Sequence, residues 1–252
     1  MTDLLATTIP GLKSADPDRY RSALLADVGG RQDLMILYGF HYELAKVPDV
    51  TSEPMLGAIR YQWWRDALDE IYSGKQVRRH EVSSALADLI DRRNLSRFHL
   101  DQLIDGRARD LDPTPFKDIE DARNYCRQTS GVLSQLAVNS LGGKSNEYVI
   151  KAGEAWGMMG LARAYSDQHN RVLSELSFET LLDSAQKSYE EVKQSISKLE
   201  TKITPALAYV SLVGGFLKRM RKPNFDPLKM RVEYGPLSKQ LRLFRAGLSG
   251  RL

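Results

Sequence analysis

Between Phe116 and Thr204 the chain contains no proline, and across that span apolar residues return every three or four positions. Such a stretch buries its apolar side chains as helices, because a strand requires a repeat of two. Outside it, prolines and glycines punctuate further stretches of the same period. Leu34, Leu37, Tyr38, His41, Leu44 and Ala45 share one helix face, which Val47-Pro48 ends or kinks. Ile59, Trp63, Trp64, Ala67, Leu68, Ile71 and Tyr72 give a second, closed by Gly74. Leu86, Leu89 and Ile90, and then Phe98, Leu100, Leu103 and Ile104, give two more. Ile119 to Ala137 forms another that Gly142-Gly143 stops, and Tyr148 to Tyr165, Phe178 to Lys202 and Pro205 to Lys222 follow. No run of alternating β-branched residues occurs. The expected fold is all-α. One helical bundle over residues 18–222 is expected between an N-terminal extension, 1–17, and a C-terminal extension, 223–252, where Pro223, Pro227 and Pro236 mark the least regular stretch.

With 252 residues, 42% of them hydrophobic, the chain can bury one sizeable core. Cys126 is the single cysteine, which excludes an intramolecular disulfide and a zinc site built from thiolates, and fits a reducing compartment. Asp3 lies in Met1 to Ala6 with no basic stretch before an apolar one, so no secretory leader is expected. The uncharged stretch between Lys202 and Lys218, 15 residues, is shorter than a spanning helix needs. Charge is unevenly placed. Residues 217–252 hold ten basic side chains against Asp226 and Glu233, a net +8, while the chain as a whole carries +4. Lys218, Arg219, Arg221 and Lys222 are therefore candidate contacts for an anionic membrane surface or an acidic partner, with a solvated basic end as the equal alternative. Nucleic acid is disfavoured, since no recognition motif is present and only Phe225, Tyr234 and Phe244 could stack there.

Motifs for nucleotide, acyl-transfer or zinc chemistry are absent, and His41, His80, His99 and His169 are scattered without ligand spacing. His41 lies on an apolar face, where a histidine held by one hydrogen bond is the commoner case. Adjacent Trp63 and Trp64 point about 100° apart on a helix, and Trp63 is assigned to the core.

Resemblance supplies what these residues alone do not. Asp18-Arg19-Tyr20, Leu37 to Val47, Ser52 to Leu68, Ile104-Asp105-Gly106 with Asp110-Leu111, Tyr125-Cys126, Ser130-Gly131-Val132, and Gly153, Ala155, Leu161 and Arg163 follow in one order. In that order and spacing the chain resembles the squalene/phytoene synthase superfamily over roughly residues 18–170, and less so after Arg171. The resemblance implies an isoprenoid synthase type of helical bundle. Working members are implied to join two isoprenyl diphosphates head to head, with Mg²⁺ held between two aspartate-rich motifs on facing helices. Carried over by position, the first motif falls on Ala45-Lys46-Val47-Pro48-Asp49 and the second on Ala164, Asp167 and Gln168. A register shifted by three would start the second on Asp167 but place Arg171 at a carboxylate position. Glu43 is about 200° round the helix from Ala45 and does not substitute.

Both motifs are thus expected to be degraded, with no metal site and no cofactor. Tyr38, His41, Ala45, Tyr125, Gly157, Gly160, Ala164 and Gln168 are the expected cavity lining. Gly157, Gly160, Ala162 and Ala164 form a small-residue wall, for which close helix packing is the favoured explanation. Tyr38 to Val47 and Gln62 to Arg65, and more loosely Leu217 to Arg219 and Asn224 to Pro227, resemble the branch that includes the mitochondrial complex I assembly factor. That branch implies a non-catalytic protein peripheral to an inner membrane, with a respiratory complex I subunit or assembly intermediate as partner. Asp3 argues against a mitochondrial leader, so the expected location is the cytoplasmic face of a bacterial inner membrane, or the matrix side in a eukaryote. The enzymatic alternative is a Mg²⁺-dependent prenyltransferase using Asp49, Asp167 and Arg163, with Asp105 or Asp110 recruited to the metal. A third reading is a carrier or sensor that holds an isoprenoid or quinone tail.

Overall fold

Helix starts in this chain are fixed by short polar caps and by prolines in first turns, where a missing N–H costs nothing. The computed structural model describes residues 10–196 and 198–252. Residues 1–9, on which the leader reading and half of the expected N-terminal extension rest, lie outside the described residues. Helix α1 spans Pro17–Ala23 behind the Asp16 cap, and α2 spans Val28–Ala45 behind Asp27. A single turn, Val47–Val50, separates α2 from α3, Pro54–Tyr72, with Pro48 and Pro54 in first turns. Helices α4, Glu81–Arg93, and α5, Arg97–Ala108, follow. Then α6, Ile119–Cys126, runs through a π-helical turn, Arg127–Gly131, into α7, Val132–Ser140. Helix α8 is Glu147–Arg163 behind Asn146, and α9 is Phe178–Ser195 behind Ser177. Short helical turns at Thr204–Leu207 and Ala208–Leu212 lead to α10, Val213–Met220, and α11, Pro236–Ser249, closes the chain. No strand occurs among the described residues.

The fold is the expected all-α bundle. Helix α8 lies along α9 and over the π turn, α2 packs on α4 and α7, and α3 packs on α5. The π turn is approached very closely from two sides. A Cβ on Gly153 of α8 would stand 2.2 Å from the Ser130 carbonyl oxygen, and one on Gly106 of α5 would stand 3.1 Å from the Gln128 backbone. The carboxylate of Glu154, fully buried on α8, fastens the same contact by accepting from Arg123 Nε at 3.0 Å, Arg127 Nη1 at 3.0 Å and Ser188 Oγ at 2.7 Å. Three donors and two cations around one buried carboxylate answer the cost of taking it out of water.

Several elements depart from the sequence reading. The core face of α3 is Gly57, Tyr61, Trp64, Ala67 and Leu68, while Ile59 is 59% exposed and Trp63 is only half-buried. Of the two tryptophans it is Trp64 that enters the core, because it is one turn on from Tyr61, whose hydroxyl donates to the carbonyls of Leu44 and Arg107. Phe98 likewise points outward. The least regular stretch contains a full helix, α11, since Pro236 stands in its first turn and Gly250 ends it at φ 67°. On its inner face Lys239, Leu243 and Ala246 are buried.

These contacts predict opposite outcomes for two glycines on α8. Gly153→Ala forces a backbone clash and lowers unfolding free energy by about 1–3 kcal/mol. Gly160→Ala, whose Cβ meets nothing within 4 Å, raises it by about 0.5–1 kcal/mol. Urea denaturation of both variants checks the pair, and equal effects would remove the close-approach argument.

Candidate functional site

Two arginines that belong to different helices meet beneath α8. Arg19, on α1, is held by the helix cap itself. Asp16 Oδ1 accepts from its backbone N–H at 3.1 Å and Oδ2 from its Nη1 at 2.7 Å. Its Nη2 donates to Ser130 Oγ of the π turn at 3.2 Å, and its guanidinium lies 4.8 Å from the Tyr209 ring centroid. The side chain is 4% exposed, yet its Nε has no hydrogen-bond partner. Arg107, near the end of α5, donates from Nη1 to Asp110 Oδ2 at 3.1 Å and to Tyr125 Oη at 2.9 Å. Tyr125 in turn donates to Asp110 Oδ1 at 2.7 Å. The Nε and Nη2 of Arg107 stand 3.2 and 2.8 Å from His41 Nε2. Guanidinium can only donate, so Nε2 is the accepting nitrogen and the neutral ring carries its proton on Nδ1.

Between the arginines lies a cavity of about 210 Å³, lined by Arg19, Arg107, Tyr125, Ser130, Gly157 and Gly160 among others. Gly157 is pressed against Cys126, whose Cβ and Sγ would each be 2.9 Å from an added Cβ, while Gly160 faces open space. The small-residue wall therefore serves both close packing and the cavity. A π turn inside an α-helix commonly marks such a site, because its extra residue redirects side chains. Burial pushes the Cys126 thiol well above its ordinary value, which disfavours the thiolate. Burial also pulls the Arg107 guanidinium downward, but Tyr125 and Asp110 more than offset this and hold it protonated.

Comparison with known proteins places this cavity in context. The sequence model described as squalene/phytoene synthase matches residues 12–174. The chain belongs to the squalene/phytoene synthase family. It is similar to "NADH dehydrogenase (ubiquinone) complex I, assembly factor 6" of Bos taurus, with 26% identity over 244 residues, covering 85% of this chain and 73% of that protein. The human protein of the same name is 25% identical over the same shares of the two chains. The corresponding homolog of Dictyostelium discoideum is 24% identical over 85% of this chain and 69% of its own. Among solved structures, a dehydrosqualene synthase in complex with ligand has a TM-score of 0.74 at 17% identity, covering 98% of this chain and 96% of its own. A squalene synthase from Alicyclobacillus acidocaldarius has a TM-score of 0.69 at 16% identity, covering 88% and 95%. These two likenesses establish a shared fold.

Set on that fold, the residues expected at the family's site divide. Tyr125, Gly157 and Gly160 line the cavity. Tyr38 and His41 are buried on α2, His41 reaching the site through Arg107 and Tyr38 leaving its hydroxyl unpartnered. Ala45, Ala164 and Gln168 are not in its lining: Ala45 ends α2, Ala164 caps the end of α8, and Gln168 closes the turn Tyr165–Gln168. Asp49 is exposed on the turn after α2. Asp167 is half-exposed and held by Arg231 Nη2 at 2.8 and 3.0 Å. Arg163 faces Asp18 at 3.8 Å and lies 4.5 Å from the Phe216 ring centroid, not against Asp167. Exposed Asp105 pairs with half-buried Arg65, whereas Asp110 belongs to the Arg107–Tyr125 network. Among the described residues, no three His, Cys, Asp or Glu side chains stand together so as to hold a metal ion. This cavity presents guanidiniums, whereas a hard cation such as Mg²⁺ is held by converging carboxylates. Arg19 and Arg107 were not legible as site residues, although Arg19 lies within Asp18-Arg19-Tyr20, where the resemblance begins.

The neutral His41 gives a pH signature. Burial first, and then the Arg107 charge, hold its pKa well below 6.5 in the folded chain. The unfolded chain therefore binds the extra proton between pH 6.5 and that lower value, so stability is full above about 6.5 and falls as pH drops. Between pH 7.5 and 5.5 the wild type should lose about 1.4 kcal/mol more unfolding free energy than His41→Gln. Chemical denaturation at both pH values measures the difference. Equal losses would place His41 in an environment that tolerates its charge.

Proposed function

We propose that this chain is a non-catalytic member of the squalene/phytoene synthase family that acts at a membrane surface in the assembly of respiratory complex I. The observation that carries the reading is the cavity beneath α8. It presents Arg19 and Arg107, while Asp49 and Asp167, the carboxylates retained at the family's two motif positions, lie outside it on exposed turns. Departure of a diphosphate needs a Lewis acid held by carboxylates, and without that set the barrier loses its main stabilising term. A volume of about 210 Å³ also lies below the roughly 300–1,000 Å³ usual for ligands of drug size, which argues against two isoprenyl chains. Similarity to the assembly factor proteins supplies the process. Among the described residues no helix is long and apolar enough to cross a membrane, which is compatible with a peripheral association.

Two measurements test this together. Purified protein incubated with farnesyl diphosphate and Mg²⁺ should release no diphosphate. Deleting the gene from its host should lower NADH:quinone oxidoreductase activity and leave partial complexes on native gels, both restored by the Asp49→Asn/Asp167→Asn double variant as well as by the wild type. Mg²⁺-dependent diphosphate release that is lost in the double variant would instead establish the prenyltransferase reading.

A further inference from the structure

Helix α11 has two apolar faces, and only one is covered. Lys239, Leu243 and Ala246 face the core, whereas Leu237, Leu241, Phe244 and Leu248 are 81%, 61%, 55% and 73% exposed. At about 100° per residue these four fall within about 60° of one another, on the side of the helix opposite the buried set. Leu24 and Leu25 of the chain after α1 extend the face into a shallow groove of about 450 Å³ shared with Leu237, Leu241 and Phe244. Its surroundings are basic. Arg242, Arg245 and Arg251 stand on α11 and just beyond it, Arg21 lines the groove, and Arg31 reaches the Leu24 carbonyl. Neither α11 nor the three residues after it contain an acidic side chain, and nearby Asp27 is committed to capping α2.

We infer that the outer face of α11 docks in the plane of an anionic lipid surface, with Leu241, Phe244 and Leu248 entering the headgroup–acyl boundary and Arg245 and Arg251 meeting lipid phosphates. A helix with an apolar face and arginines at its border has the composition of an interfacial helix. Charge argues against a second copy of the chain as the occupant, because a two-fold contact would set one basic border against the other. The inner face explains why α11 stays on the protein: the Lys239 ammonium, nearly buried, pairs with buried Asp18 at 2.9 Å. The inference rests on the membrane-side reading above and moves its contact from the Lys218 to Lys222 segment, where Arg221 is paired with Asp183 and Arg219 is stacked on Tyr234.

The test is flotation of the full chain with vesicles of phosphatidylcholine alone or with phosphatidylglycerol added. Binding should require phosphatidylglycerol, weaken with salt, and fall at least about tenfold in Leu241→Ser/Phe244→Ser, whose melting temperature should match the wild type because both positions are exposed. Arg245→Glu/Arg251→Glu should lose the phosphatidylglycerol dependence. A Phe244→Trp variant should shift its emission to the blue on binding. No binding, or equal binding by the serine variant, overturns the inference, and so does a concentration-dependent dimer that the serine variant dissolves. Capture of an acidic protein partner through this face without vesicle binding overturns it as well. Assembly and docking fail separately: complex I restored by a serine variant that no longer floats removes the membrane face alone, and a deletion strain with normal complex I removes the assembly reading alone.

Discussion

Contact between α8 and the π-helical turn is the constraint from which the rest of the structure follows. Gly153 lets the helix backbone approach the Ser130 carbonyl, and Gly106 admits the same turn from the α5 side. Close approach of this kind leaves no room for water, so charges drawn into it must be paired. Glu154 with Arg123, Arg127 and Ser188 meets that requirement on one flank. On the other flank the extra residue of the π turn carries Ser130 to Arg19 and leaves the space that Gly157 and Gly160 border. The cavity is thus a by-product of how tightly two helices are joined beside it.

What fills the border of that cavity decides its chemistry. Buried guanidiniums must find acceptors, and Arg107 finds three in Asp110, Tyr125 and His41. Asp110 is thus paired within the chain, with Arg107 and Tyr125. The same holds for Asp18, which faces Arg21, Arg163 and Lys239, and for Asp167, which faces Arg231. Glu43 likewise pairs with Lys46, while Asp49 is exposed.

Much of this was legible in the sequence because helical period and punctuation are local signals. Stops such as Gly74 and Gly142 act within four residues of themselves. The phase of each helix was less legible. Tyr61 turns α3 by bonding the Leu44 and Arg107 carbonyls, a choice made by distant backbone, and Ile59 is left outside in consequence. Arg19 and Arg107 are separated by α2 to α4 and most of α5, and a lone arginine on a helix carries no sign that a second will meet it. Helix α11 was hidden for another reason: its apolar residues occupy two opposite faces, so no single stripe of period 3.6 stands out, and its first-turn proline looked like a break.

Asp18 and Arg19 are neighbours on α1, and their side chains lead in different directions. Arg19 reaches into the cavity, while Asp18 is shared by Arg163 at the end of α8 and Lys239 on α11. Lys239 is itself nearly buried, so removing its ammonium would leave the buried Asp18 carboxylate without its nearest cation, a change that typically costs about 3–5 kcal/mol. That cost exceeds what a surface salt bridge supplies and is a large fraction of the stability of a domain. The C-terminal helix is therefore part of the fold and not an appendage to it.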